Sequence, residues 1–179
     1  LVIADGGRVS VHDGAGTVGL ATVLTASGTI HIGAESHDPN KATGAGVLEA
    51  ATIAFGTGVG TLNFNHIDSN YDFGTALTST GSGTQKLNHY AGVTRLTGDS
   101  SNFLGDTTVS GGTLAVSGKL GWTKPVSFIG FPVGKNLAGS VTVERTGRLV
   151  IKDGGTVFSS DGWIGAHEGS SGTVAGLVE

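Results

Sequence analysis

The chain has 179 residues, 33 of them glycine, with no cysteine and no methionine. Glycine at this level without a three-residue period excludes collagen, and a 37% hydrophobic share excludes a chain too polar to fold. A net charge of −4, with ten scattered Lys and Arg, excludes a general nucleic-acid surface, and no apolar run reaches the length of a membrane helix.

Residues 1–33 read as short strands: LVIA, RVSVH, a TVGLATVL stretch and TIHIG. Asp5-Gly6-Gly7 and Asp13-Gly14 mark turns, because glycine accepts the positive φ of a tight corner. His12 and His31 stand beside apolar neighbours and are expected to point outward. Residues 34–47 form a first loop excursion around an Asp-Pro step. Its adjacent Ser36, His37 and Asp38 do not make a triad, which needs a spatial arrangement and an oxyanion hole rather than adjacency in one loop.

Residues 48–65 return to strands in ATIAFG and GTLNFN, and the stretch 47–51 is too short to decide on a helical turn. Asn63 and Asn65 are expected on an outward face, where stacked amides can ladder. Residues 66–86 are a second excursion. Asp68, Asn70 and Asp72 alternate like the start of a calcium loop, but the glycine and distal glutamate of that loop are missing, so no metal is expected.

Residues 87–116 hold three short strands separated by Gly, Asp, Ser and Asn turns. Thr94 and Leu96 share one face, and Leu114 and Val116 share another with Ala115 opposite. Ser100 lies in a Gly-Asp-Ser-Ser turn without a catalytic partner. Residues 117–139 break the rhythm, with two of the three prolines and a cluster of aromatic and cationic residues. Loops of this composition on a rigid scaffold are where binding usually lives, so Trp122, Lys124, Phe131 and Lys135 are the candidate binding residues. Residues 140–179 are regular again, with a corner at Asp153-Gly154-Gly155. His167 and Glu168 lack a second ligand pair at metal-binding spacing.

Strands this short cannot bury a core alone. A strand phrase recurs, however, as GTIHIG (28–33), ATIAFG (51–56), GTLNFN (60–65), GTLAVS (112–117), SVTVER (140–145) and GRLVIK (147–152). LVIADGG (1–7) also matches LVIKDGG (149–155). The pairs Leu1/Ile3, Ile30/Ile32, Ile53/Phe55, Leu62/Phe64, Leu114/Val116, Val141/Val143 and Leu149/Ile151 are expected to form continuous apolar ladders. That is the pattern of an all-β parallel solenoid with seven to nine levels at about twenty residues each.

The run HYAGVTRLTGDSSNFLGDTTVSGGTLAV (89–116) resembles the passenger-associated strand repeat of bacterial autotransporters, the type V secretion family. LVIKDGGTVFSSDGWIGAHEGSSGTV (149–174) resembles the strand-loop-strand repeats of the same passengers. The resemblance covers the second half of the chain well and the first half only as generic strands. It implies a right-handed parallel β-helix, one segment (1–179) of a larger passenger that is secreted or displayed on the outer membrane of a Gram-negative bacterium. Many members of that family are adhesins.

The expected function is an adhesion rod meeting a host cell-surface or matrix protein or a glycan. The alternatives are a structural stalk or, more remotely, a polysaccharide-degrading enzyme. The fourteen acids do not recur at one position of the repeat, so no catalytic residue is assigned. No cofactor, nucleic acid or membrane insertion is expected. Open strand ends favour end-to-end self-association.

Overall fold

A computed structural model describes residues 1–21, 26–79, 84–121, 139–160 and 162–164. Apart from one short 3-10 turn at Pro39–Lys41, the described elements are all strands. In chain order they are β1 (Val2–Ile3), β2 (Arg8–Ser10), β3 (Thr17–Leu20), β4 (Ser27–Gly33), β5 (Val47–Glu49) and β6 (Thr52–Phe55). Then come β7 (Val59–Asn65), β8 (Tyr71–Phe73), β9 (Ala76–Ser79), β10 (Gln85–Ala91), β11 (Val93–Leu96) and β12 (Asp99–Ser100). The last are β13 (Asp106–Val116), β14 (Lys119–Leu120), β15 (Val141–Ile151), β16 (Thr156–Val157) and β17 (Gly162–Ile164).

Every strand-to-strand ladder among them is parallel. The main sheet runs β1-β4-β7-β10-β13, continues through β15 to β17, and takes in β11 and β8 along the second half of β13. Three smaller sheets pair β2 with β5, β3 with β6 and β9, and β12 with β14 and β16. Up to β12, a strand pairs mostly with the one three places later. A parallel pair cannot be joined by a tight hairpin, so the chain must travel through other strands before returning.

The register makes a column. Ile3 lies beside Ile32, then Phe64, His89, Val109, Val143 and the backbone of Ile164. The neighbouring inward column runs Ile30, Leu62, Leu87, Thr107 and Val141. One apolar cluster joins these columns to Leu20, Leu48, Ile53, Phe55, Leu77 and Leu120, so all four sheets share a core. The predicted ladder pairs are buried, with two exceptions: Leu1 is 57% exposed and Ile151 only partly covered. Both sit at a strand boundary, where alternation no longer dictates direction.

Three readings are settled or corrected by the structure. Residues 47–49, too short in the sequence to decide on a helical turn, form strand β5 through pairing with β2 and burial of Leu48. The second excursion carries β8, paired with β11, and β9, paired with β6, and its Phe73 and Leu77 are core residues. His31 does point away from the core, yet it is only 7% exposed, because residues 35–38 fold back over it.

Corners are tight because the next level passes close by. Gly112 (φ +64°) bends β13 where a Cβ would collide with the backbone of Gly92, and Gly92 (φ +83°) faces the ring of His66. Outside, Arg95 pairs in register with Asp72 at 2.6 Å, and Lys119 with Asp99 at 2.8 Å. Such exposed pairs add little stability.

Leu87→Ala should cost about 2–5 kcal/mol of unfolding free energy, because it opens a cavity between two levels. Thr61→Ala, on the outward face, should stay within about 0.5 kcal/mol. Urea denaturation followed by circular dichroism measures both.

Candidate functional site

Alternation along the main sheet sends every second side chain outward, and over β4, β7, β10 and the first half of β13 most of these side chains are polar. Register sets Thr29, Thr61, Lys86 and Asp106 in one row. It sets His31, Asn63, Asn88, Thr108 and Thr142 in the next row, and Trp163 holds the following register position. Parallel strands lie about 4.8 Å apart, so each row repeats at that spacing.

The rows floor a groove of about 700 Å³. Within it the Asn88 amide donates to Asn63 Oδ1 at 2.9 Å. Asn63 Nδ2 in turn lies 3.5 Å from His31 Nδ1 and 3.4 Å from His37 Nε2. At the other end, Asp106 Oδ1 accepts from the backbone N–H of Ser140 at 2.8 Å and from its hydroxyl at 2.9 Å. Burial lowers the pKa of His31, which is therefore neutral at pH 7.

One wall is residues 34–41, folded back across the sheet. Asp38 caps the 3-10 turn by accepting from Asn40 N at 2.9 Å. Asn65, fully buried beneath, donates from Nδ2 to the carbonyls of Ser36 at 2.5 Å and Asp38 at 3.0 Å. The anchored loop lays the His37 ring flat on Tyr90, with centroids 4.9 Å apart and planes 16° apart, while His31 is 6.4 Å beyond His37. Stacked rings, amides and hydroxyls thus line one trough with both donors and acceptors.

A second polar cluster lies inside the core. His89 occupies an inward register position and donates from Nδ1 to Gly111 O at 2.8 Å. Its Nε2 must then accept from the Thr94 hydroxyl at 3.1 Å, and Thr94 Oγ1 accepts from His66 Nε2 at 2.7 Å. His66 Nδ1 is left buried without a hydrogen bond, 3.7 Å from Asp68 Oδ2. The order Asp68, His66, Thr94 imitates a charge relay. But Thr94, His66 and His89 are each 0% exposed, and the threonine proton is already given to His89. The cluster braces a corner of the stack and offers no surface to a substrate.

The sequence-predicted binding residues Trp122, Lys124, Phe131 and Lys135 lie outside the described residues. Asp68 and Asp72 do not converge: Asp68 Oδ2 accepts from Ala45 N at 2.6 Å, and Asp72 holds Arg95. Ser100 is buried, its hydroxyl accepting from Leu77 N at 2.9 Å. Ser36 Oγ accepts from Asp38 N at 3.1 Å while His37 turns to Tyr90, so these three neighbours serve separate contacts. The groove residues Asn88 and Tyr90 escaped the sequence reading, although counting parity outward from Leu87 reaches Asn88.

Burial pushes His89 down to about 4 and also lowers His66. The unfolded chain therefore takes up protons near pH 6.5 that the folded chain refuses. Stability should be full above pH 6.5 and fall between pH 6.5 and about 4, by about 3 kcal/mol for His89 alone. Melting temperatures across that range measure the loss; in His89→Gln the pH dependence should shrink even though the variant is less stable at pH 7.

The chain is 31% identical over 113 residues to the Adhesin BmaC autotransporter of Brucella suis biovar 1 (strain 1330). The match covers 63% of this chain and 3% of that relative's length. No protein-family model matches the chain, and no solved structure matches it. Among the described residues no helix is long and apolar enough to cross a membrane. By sequence, then, this all-β chain of parallel strands is similar to a short stretch of one very long autotransporter adhesin.

Proposed function

We propose that the chain is a segment of an autotransporter passenger, wound as a right-handed parallel β-helix, that serves as an adhesion rod at the bacterial surface or after secretion. The observation that carries this reading is the in-register parallel column from Ile3 to Ile164, joined to the likeness with an autotransporter adhesin. Stacked levels of this kind make a rod whose stability is a sum of neighbour interfaces, and loops of any length can leave it without disturbing the core. A rod that presents loops and a polar trough suits attachment without chemistry, so the reading assigns no catalytic residue and no cofactor. It expects no nucleic-acid partner and no membrane insertion of this segment. The aromatic and cationic stretch with Trp122, Lys124, Phe131 and Lys135 remains a proposed second contact. A structural stalk is the competing reading, since stacked levels can space another domain without binding anything themselves.

The purified chain, coated on a surface, should retain mammalian cells or immobilised matrix in a saturable way. Replacing Trp122 and Lys124 by Ala should weaken that retention if the stretch takes part. Absence of retention on every surface favours the stalk.

A further inference from the structure

We infer that the trough over β4, β7, β10 and β13 is a binding site for an uncharged glycan chain, lying along the stack so that successive sugar units meet successive strands. The inference rests on the adhesion reading for the origin of its ligand, but its chemistry stands on the trough itself.

Three features select this ligand. First, the floor is periodic. Thr29 and Thr61 in one row, and Asn88 and Thr108 in the other, offer hydroxyl and amide groups at the strand spacing of about 4.8 Å, close to the advance of one hexose along an extended chain, while buried Asn63 orients Asn88 from beneath. Each of these groups both donates and accepts, as vicinal sugar hydroxyls do. Asn88 spends one N–H on Asn63, which leaves its carbonyl oxygen and second N–H for a ligand. Second, the wall is aromatic: the His37–Tyr90 stack stands beside the amide row, and an amphipathic ring pair of this kind accepts the apolar C–H face of a sugar. Third, the wall is held in place before any ligand arrives, because buried Asn65 ties the carbonyls of Ser36 and Asp38. A pre-formed wall lowers the ordering cost of binding.

The same features argue against other occupants. Among the described residues Lys86 is the one Lys or Arg lining the trough, against Glu35 and Asp106, and this lining does not attract a polyanion such as a sulfated chain. A peptide adding as a strand needs a free backbone edge, and β7 and β10 are each paired on both sides. Among the described residues the trough holds no apolar pocket for a peptide side chain: their lining is polar apart from the aromatic rings.

The test is an array of immobilised neutral oligosaccharides of hexose and N-acetylhexosamine units, with sulfated and sialylated chains and matrix proteins alongside. The purified chain should be retained by neutral oligosaccharides, more strongly as their length increases. Asn88→Ala and Tyr90→Ala should each weaken retention about tenfold, the effect of one or two lost contacts, with the melting temperature as a check on folding. Thr108→Arg, which fills the trough from a partly covered outward position, should abolish retention. Arg148→Ala, on a separate hollow lined by Val93 and Val150, should change nothing. Retention only by sulfated chains, retention indifferent to Asn88, Tyr90 and Thr108, or no retention by any neutral glycan overturns the inference. Cell attachment that survives both enzymatic deglycosylation and the trough variants also overturns it while leaving the adhesion reading intact. Glycan retention without cell attachment would do the reverse.

Discussion

The whole molecule depends on parallel strands stacked in register. No single level could hold itself together; β1, β12, β14 and β16 are two residues long. Stability arises because each inward side chain meets its counterparts directly above and below, as Leu62 meets Ile30 and Leu87. A buried aliphatic side chain contributes about 1.5–3 kcal/mol, so a column of them outweighs the small contribution of any exposed ion pair. In-register stacking also forces the backbone close at the corners. That is why glycine sits where β13 bends and where the chain passes His66.

The register that builds the core builds the outer face as well. Side chains alternate, so fixing Ile30, Leu62 and Leu87 inward fixes His31, Asn63 and Asn88 outward in a matching row. The trough needs no separate scaffold. What closes it on one side is the loop excursion after β4, which Asn65 fastens from beneath. Two consecutive outward asparagines on β7 therefore divide the work: Asn63 lines the trough and Asn65 holds its wall.

His89 is the exception that the stack accommodates. It takes an inward place between Phe64 and Val109, and burial without partners would be costly. Thr94 and the carbonyl of Gly111 satisfy both its nitrogens, and His66 completes the chain of hydrogen bonds. The network ties β10, β11 and the bend of β13 across one corner. Its cost appears as the orphan nitrogen of His66 and as burial that lowers the pKa of both imidazoles, His89 to about 4.

The amino-acid sequence by itself determined the all-β character, the recurrence of short strands, nearly all of the ladder pairs and the corners at Asp-Gly steps. These follow from alternation, turn chemistry and a repeating phrase, all of which are local. Only the tertiary structure decided which level neighbours which, because the intervals between copies are irregular and pairing partners lie twenty or more residues apart. It turned residues 47–49 into a strand through their pairing with β2, and it gave the second excursion two strands. The trough was illegible for the same reason. Asn63 reads as an outward amide able to ladder, but Asn88 and Thr108 look like unrelated polar residues in separate segments until the register aligns them with it, and His37 joins them only because a distant asparagine anchors its loop.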